Sequence, residues 1–378
     1  MKPQNLIPTK PRNLATFTQK LAENNLDAVI ASSAGAFYYL SRSMIITHLP
    51  IRDRLELLFW PKVGDPVFIL CDHERWVVLK ESWIQGLRTY VEFERFPMEV
   101  LAELILERGL GGGRIGIEFN YLRGQYFDEL KKYLPEATFV SSDFLFNQAR
   151  MIKTPEEIDS LRQAARLTEQ AIRGGLANAK PGDSEKTLAS RLARCVSELG
   201  AIGFAEVVAA GPHSFHSYPL ASPDELLPGE LVRIDLKGTF NGYASDVGRM
   251  AVVGQPTQQH RDAYSRIRDV QLKTVQALRP GQTAASVYNL YSKQLESSGL
   301  SLALPYVGHS IGFGGQEYPI LQPLEDQLLE ANMVLSLEPA FDLNGIRFKI
   351  EDTIWVTDNG AEWLTDQAGI EEIITIPI

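Results

Sequence analysis

Two Asn-Gly dipeptides constrain this chain more than any other feature. Asn241-Gly242 separates the segment Leu231–Gly238 from Val247–Val253, and Asn344-Gly345 separates Val334–Pro339 from Phe348–Val356. Asn-Gly between apolar segments is the signature of a two-residue β-hairpin, because both central residues must adopt positive φ. A two-residue loop also fixes the register. In the first hairpin it places Asp235 opposite Gly248, with Asp246 diagonally beside it on the same face of a half-buried strand pair. In the second it places Glu338 directly opposite Glu351. Pro339 cannot donate to a ladder and so marks an edge or the end of a strand there.

Like charges directly opposite one another cost up to about 1 kcal/mol on an open sheet and more when buried, so a cation is their natural counterpart. A lone Asp beside a turn is ordinarily solvated or bonded to nearby backbone, and a lone His in a glycine-rich loop is ordinarily structural. Two hairpins that each carry two acids on one face shift the reading toward a metal site. His309, within Tyr306-Val-Gly-His-Ser-Ile-Gly-Phe-Gly-Gly, is the remaining candidate ligand. Four carboxylates and one imidazole form a hard donor set suited to Mn²⁺, with Co, Zn or Fe as other candidates. Their four negative charges balance two divalent ions. Such a pair, about 3.5–4 Å apart, can share a water, lower its pKa and polarise a carbonyl.

The rest of the chain reads as α/β with two domains, 1–150 and 151–378. The apolar spacing of Leu14, Phe17, Leu21 and Ala22 predicts a helix over Asn13–Asn25 that feeds a buried strand over Leu26–Ala31. Further strands are expected at Leu55–Trp60, Pro66–Leu70 and Ile115–Phe119, with helices at Met98–Arg108 and Tyr121–Tyr133. The pattern breaks over Val140–Arg150. A long helix then begins at Thr154-Pro155-Glu156-Glu157, with threonine as N-cap and proline at the first helical position. Pro181-Gly-Asp-Ser184 announces another helix, and Gln258–Leu278 and Ala284–Ser298 supply two more.

Taken together, Arg-Ile-Asp235-Leu-Lys-Gly, Asn-Gly-Tyr-Ala-Ser-Asp246-Val-Gly-Arg, Gly-His309-Ser-Ile-Gly, Leu-Ser-Leu-Glu338-Pro and Lys-Ile-Glu351-Asp-Thr resemble the signature of the pita-bread metallopeptidases, which include Xaa-Pro aminopeptidases, prolidases and methionine aminopeptidases. Met151-Ile-Lys-Thr-Pro-Glu-Glu-Ile is similar to the start of that family's catalytic domain. The first half resembles the creatinase/prolidase N-terminal domain, which points to the prolidase and aminopeptidase P branch. The resemblance implies a small N-terminal α/β domain and a C-terminal pita-bread (α+β) catalytic domain. It also implies a dinuclear hydrolase cleaving peptide bonds next to proline, and a homodimer. Asp246 and Glu351 would bridge both metals, Asp235 would bind one, and His309 with Glu338 the other. Glu338 would also exchange protons with the attacking water. Asp352 and Arg249 match the residues that orient these ligands.

The sequence departs from this pattern at three places. Tyr218 and Gln316 stand where the family's peptidases carry two further histidines, and His216 or His213 is a replacement for the first if the loop is shifted. Tyrosine can donate a hydrogen bond to an oxyanion, whereas glutamine can bind substrate but cannot titrate. Lys349 stands where arginine is common, and it lacks arginine's bidentate fork. The alternatives are therefore a non-peptidase, metal-dependent C–N hydrolase or lyase on the same scaffold, and a non-catalytic binding protein.

Composition narrows the partners. The 47 acidic against 37 basic residues give a net charge of −10, which argues against a nucleic-acid footprint or a polybasic membrane patch. A peptide or small amide is the expected substrate. Cys71 and Cys195 have neither disulfide nor zinc spacing. With no apolar leader read in the opening residues and no apolar run long enough for a span, the expectation is a cytoplasmic protein.

Overall fold

The computed structural model describes residues 14–48, 51, 54–367 and 371–377. The opening residues read for a leader, and Asn13 of the first helix, lie outside them. The chain divides into two compact units between Arg150 and Met151.

The first unit is a mixed sheet with helices. Its strands are β1 (Ala28–Ala31), β2 (Leu57–Pro61), β3 (Val67–Cys71), β4 (Gly86–Tyr90), β5 (Arg114–Ile117) and β6 (Thr138–Ser141), in the order β4-β3-β2-β1-β5-β6. The helices are α1 (Leu14–Glu23), α2 (Ala34–Ser41), α3 (Arg75–Glu81), α4 (Pro97–Glu107), α5 (Gly124–Tyr133) and α6 (Asp143–Met151). Strands β1, β2 and β3 are wholly buried apolar runs, as expected of a sheet covered on both faces. Leu101, Ile105 and Leu130 pack on one side with Ile30, Leu57 and Ile69. The pattern break expected over Val140–Arg150 is instead the end of β6 followed by α6, which buries Leu145, Phe146 and Ala149 at helical spacing. Its mean apolarity is low, so one narrow buried stripe carries the helix.

The second unit opens with α7 (Pro155–Leu176), where Thr154 and Glu157 form a reciprocal capping box and Pro155 takes the first turn. Helix α8 (Glu185–Glu198) is capped by Ser184. Then come β7 (Phe204–Ala210), β8 (Leu231–Phe240), β9 (Tyr243–Val253), α9 (Gln258–Ala277), α10 (Ala284–Ser297), β10 (Gly308–Ser310), β11 (Glu317–Ile320), β12 (Val334–Leu337), β13 (Ala340–Leu343), β14 (Ile346–Lys349), β15 (Asp352–Thr357), β16 (Gly360–Trp363) and β17 (Ile374–Ile376). They form a four-stranded sheet, β17-β9-β8-β7, a five-stranded sheet, β11-β10-β12-β15-β16, and the separate hairpin β13-β14. Helices α7 and α8 pack Ala164, Ile172, Leu188 and Leu192 against Val208, Ile234, Leu236 and Val247. Helices α9 and α10 pack Val270 and Tyr291 with Leu335, Leu337 and Ile354.

Both Asn-Gly turns have the expected geometry. Asn241 and Asn344 have φ of 50° and 53°, and the glycines that follow have 84° and 77°. Two details differ from expectation. Strand β9 is buried at every residue and β8 at all but two, so this pair is not half-buried. The polar alternation in β8 and β9 separates an apolar face from a buried polar one. The second hairpin is also interrupted: Glu338 and Pro339 fall between β12 and β13, and Ile350 and Glu351 between β14 and β15. Glu351 pairs instead with Gly248 of β9 through two backbone hydrogen bonds of 3.1 and 3.2 Å. Gly248 permits this, because a Cβ there would lie 2.8 Å from that of Glu351. The interruption thus joins the two larger sheets.

Candidate metal centre

The five proposed ligands converge at that join. Strand β8 carries Asp235 opposite Gly248, and β9 carries Asp246 opposite Lys237. Strand β10 brings His309 beside Ser336 of β12. Glu338 and Glu351 occupy the two breaks of the second hairpin. All five are buried. His309 Nε2 lies 3.3 Å from Glu338 Oε1, 3.8 Å from Asp246 Oδ2 and 4.0 Å from Glu351 Oε1. On its other side, Nδ1 lies 3.0 Å from the Ser310 carbonyl. A carbonyl only accepts, so Nδ1 carries the proton and Nε2 turns its lone pair toward the carboxylates.

Two lysines enter the same cluster. Lys349 Nζ lies 2.6 Å from Asp235 Oδ2, 2.7 Å from Glu338 Oε2 and 2.9 Å from Glu351 Oε2. Lys237 pairs with Asp246 Oδ2 and stands 4.0 Å from Asp235 Oδ1. Glu351 Oε1 also accepts a 2.8 Å hydrogen bond from Ser336.

Burial pushes every carboxyl here upward, and neighbouring charge sorts them. Lys349 and Lys237 outweigh burial at Asp235 and hold it well below the usual carboxylate range. Lys349 does the same at Glu338, which is also held low. At Asp246 burial acts together with the charges of Glu351 and Asp235, and its carboxyl is raised well above its ordinary value. Burial likewise raises Glu351 despite Lys349. Lys349 itself is raised well above a free lysine: burial opposes its charge, but Asp235, Glu351 and Glu338 more than offset that.

Behind the cluster, Arg249 donates to the carbonyls of Gly248 and Glu351, both at 2.8 Å, and to Asp352 Oδ1 at 3.0 Å, and it pairs with Glu169. Asp352 also receives Gln271 and Thr365, both at 2.9 Å. Arg249 and Asp352 therefore brace the backbone around Glu351.

The outer candidates divide. Tyr218 is 63% exposed and its hydroxyl bonds that of Tyr306. Burial and the Glu338 carboxylate push the Tyr306 phenol up. Tyr218 is thus tied to Tyr306, whose phenol feels the Glu338 charge, a pairing the spacing of these residues does not announce. The structure does not bring His213, His216 or Gln316 to the carboxylates among the described residues. His213 Nδ1 lies 2.8 Å from Glu185 Oε2, and Glu185 also receives the backbone N–H groups of Ala210 and Ser222. His216 is exposed, and its carbonyl accepts from Arg233 at 2.6 Å. Gln316 is exposed beside the buried Glu317.

The donor atoms fit a divalent ion. Ligand atoms from Asp246, His309 and Glu351 lie within 4.8 Å of one another. Asp235 Oδ1 and Asp246 Oδ1 are buried without a hydrogen-bond partner. Buried polar atoms are ordinarily satisfied, and a cation would satisfy these.

Comparison with known proteins places this geometry. Residues 159–358 match the model of metallopeptidase family M24, and residues 14–152 match that of the creatinase/prolidase N-terminal domain. The chain belongs to metallopeptidase family M24. Among M24 relatives it is similar to the Xaa-Pro dipeptidase of Pyrococcus furiosus, at 30% identity over 93% of this chain and 97% of that one. The Xaa-Pro dipeptidase of Lactobacillus delbrueckii subsp. lactis is 27% identical over 97% and 99% of the two chains. Among solved structures, the prolidase of Thermococcus sibiricus superposes with a TM-score of 0.88 at 23% identity, covering 97% of this chain and 99% of that one. Dipeptidase PepE of Mycobacterium ulcerans gives 0.84 at 26% identity, covering 97% and 98%. This M24 protein is a metallohydrolase with the two-domain, pita-bread architecture of the family. No described helix is long and apolar enough to cross a membrane.

Proposed function

We propose that this protein hydrolyses the peptide bond next to proline in short peptides, as an Xaa-Pro dipeptidase or aminopeptidase. The observation that carries this reading is the convergence of Asp235, Asp246, His309, Glu338 and Glu351 at one buried join, in a chain that covers dipeptidase relatives almost whole. Divalent metal, with Mn²⁺ preferred for this oxygen-rich set and Co, Zn or Fe as other candidates, supplies Lewis-acid polarisation of the scissile carbonyl and lowers the pKa of the attacking water when bound.

The chain's own residues do the rest. His309 presents Nε2 because Ser310 holds the Nδ1 proton. Glu338, kept ionised by Lys349, accepts the proton of the attacking water and returns it to the leaving nitrogen. Ser336 orients Glu351, and Arg249 with Asp352 fixes the backbone that carries it. Tyr218, Gln316 and His216 are proposed to meet the substrate where the family's peptidases use histidines. The proposal includes a homodimer residing in the cytoplasm, which the acidic composition and the two free cysteines suit. The relatives do not favour the non-peptidase and binding-protein alternatives.

The test is a panel of Xaa-Pro and non-proline dipeptides assayed with chelator-stripped and Mn²⁺-reconstituted protein. Selective, metal-dependent turnover of the Xaa-Pro members is expected. Turnover of other amides with inertness toward every peptide would refute the assignment.

A further inference from the structure

Two divalent ions were expected from the ligand set, and the structure accommodates them unequally. On the His309 side, Glu338 Oε1, Asp246 Oδ2 and Glu351 Oε1 stand 3.3 to 4.0 Å from His309 Nε2, and the one ammonium paired with these atoms, Lys237 at Asp246 Oδ2, comes from the half-exposed rim. That is the spacing of ligands around one ion, since atoms roughly 2.1 Å from a common centre lie about 3–4 Å apart. On the Asp235 side, the space between Asp235, Glu338 and Glu351 holds the ammonium of Lys349. Lys349 donates a hydrogen bond to Asp235 and forms ion pairs with Glu338 and Glu351, so three carboxylates share its charge.

We propose that this cluster takes a single divalent ion, held by Asp246, His309, Glu338 and Glu351, and that the ammonium groups of Lys349 and Lys237 stand in place of a second. The inference rests on reading the cluster as a metal centre, and it alters the number of ions expected there. Sterically, an ion bound by Asp235 Oδ2 and Glu351 Oε2 would sit roughly 2–2.6 Å from each, in the volume Lys349 Nζ fills. Lys349 cannot step aside as a surface lysine does, because its side chain is only 3% exposed. Electrostatically, the four carboxylates less the two ammonium groups leave two negative charges, which one divalent ion neutralises. Two ions together with both lysines would overcharge a buried site, and buried net charge is costly. Lys237 completes the arrangement from the rim: its side chain is 38% exposed, and its ammonium reaches Asp246 and approaches Asp235.

The sequence places both lysines beside ligands. Lys237 is two residues from Asp235 on β8, so strand alternation puts it on that ligand's face, and Lys349 ends β14 just before the break that carries Glu351. Each reaches into the cluster from an element that already carries a ligand.

The test counts ions. Chelator-stripped protein is titrated with Mn²⁺ by calorimetry, bound metal is measured after desalting, and the electron paramagnetic resonance spectrum is recorded. The wild type is expected to hold one ion per chain and to show isolated Mn²⁺ without the signal of a coupled pair. Lys349→Met combined with Lys237→Met, checked for native circular dichroism, is expected to double the count and show coupling. Two ions in the wild type would overturn the proposal whether or not the variant folds. One ion in both folded proteins would overturn it as well, since the lysines would then not set the number. Binding in the variant with none in the wild type would also refute the single-ion count. Loss of binding in both would instead remove the metal-centre reading on which it rests.

Discussion

Replacing Arg249 with methionine isolates the bracing of the centre from its ligands. The guanidinium makes four polar contacts: the carbonyls of Gly248 and Glu351, and the carboxylates of Asp352 and Glu169. Removing one partner of a buried ion pair costs about 3–5 kcal/mol, because the remaining charge stays buried and uncompensated. The lower end applies here. Asp352 keeps Gln271 and Thr365 and has Arg268 at 3.7 Å, and Glu169 keeps the N–H of Asp366 at 2.6 Å. Arg249→Met should therefore lose about 3 kcal/mol of unfolding free energy by urea titration. Apo protein should be used, so that ion binding does not mask the loss. Because Arg249 holds the carbonyl of Glu351, the folded variant should also bind Mn²⁺ about 10–100-fold more weakly. Arg249→Lys should rescue only part of either effect, since one ammonium cannot span four acceptors. A loss below about 1 kcal/mol with unchanged Mn²⁺ affinity would refute both the ion-pair accounting and the positioning role.

Glu338→Gln should retain one Mn²⁺ while kcat on an Xaa-Pro dipeptide falls by about 10²–10⁴, because the amide keeps an oxygen donor but cannot accept a proton. Unchanged kcat at full occupancy would remove Glu338 from proton transfer. In the first unit, burial and the charge of Glu74 push the Glu56 carboxyl up to about 7 from an ordinary 4.5, against the hydrogen bond from Thr47. A carboxyl raised in the folded state stabilises the fold fully below its unfolded value, and that contribution is lost as pH rises through the folded value. Stability should thus fall between about pH 5 and 8, by at most about 3 kcal/mol, and Glu56→Gln should flatten the profile and be the more stable protein at pH 8. Parallel urea-midpoint profiles for the two proteins would contradict this.

The register of both hairpins was legible because an Asn-Gly turn leaves the chain little choice: positive φ at both residues selects one loop, and one loop selects one pairing. That reached Asp235 opposite Gly248 and carried Glu338 and Glu351 to the same level. Three things it did not reach. The second hairpin breaks at Glu338-Pro339 because Glu351 takes its backbone partner from β9, a long-range choice that no local pattern encodes. Strand β4 escaped notice because it lies at the edge of its sheet and is mostly half-exposed, so it shows no apolar run. The lysines are the instructive case. On a half-buried strand Lys237 would be an ordinary solvated residue, and the sequence marks Lys349 only as lacking arginine's bidentate fork. Lys349, at the end of β14, is buried, so its ammonium must have a counter-charge, which Asp235, Glu338 and Glu351 supply, and Lys237 meets Asp246 from the rim of the same cluster. Four acids at a buried join state how much positive charge the fold requires but not what carries it. Here the same hairpin register that assembles the acids also delivers half of that charge from the chain itself.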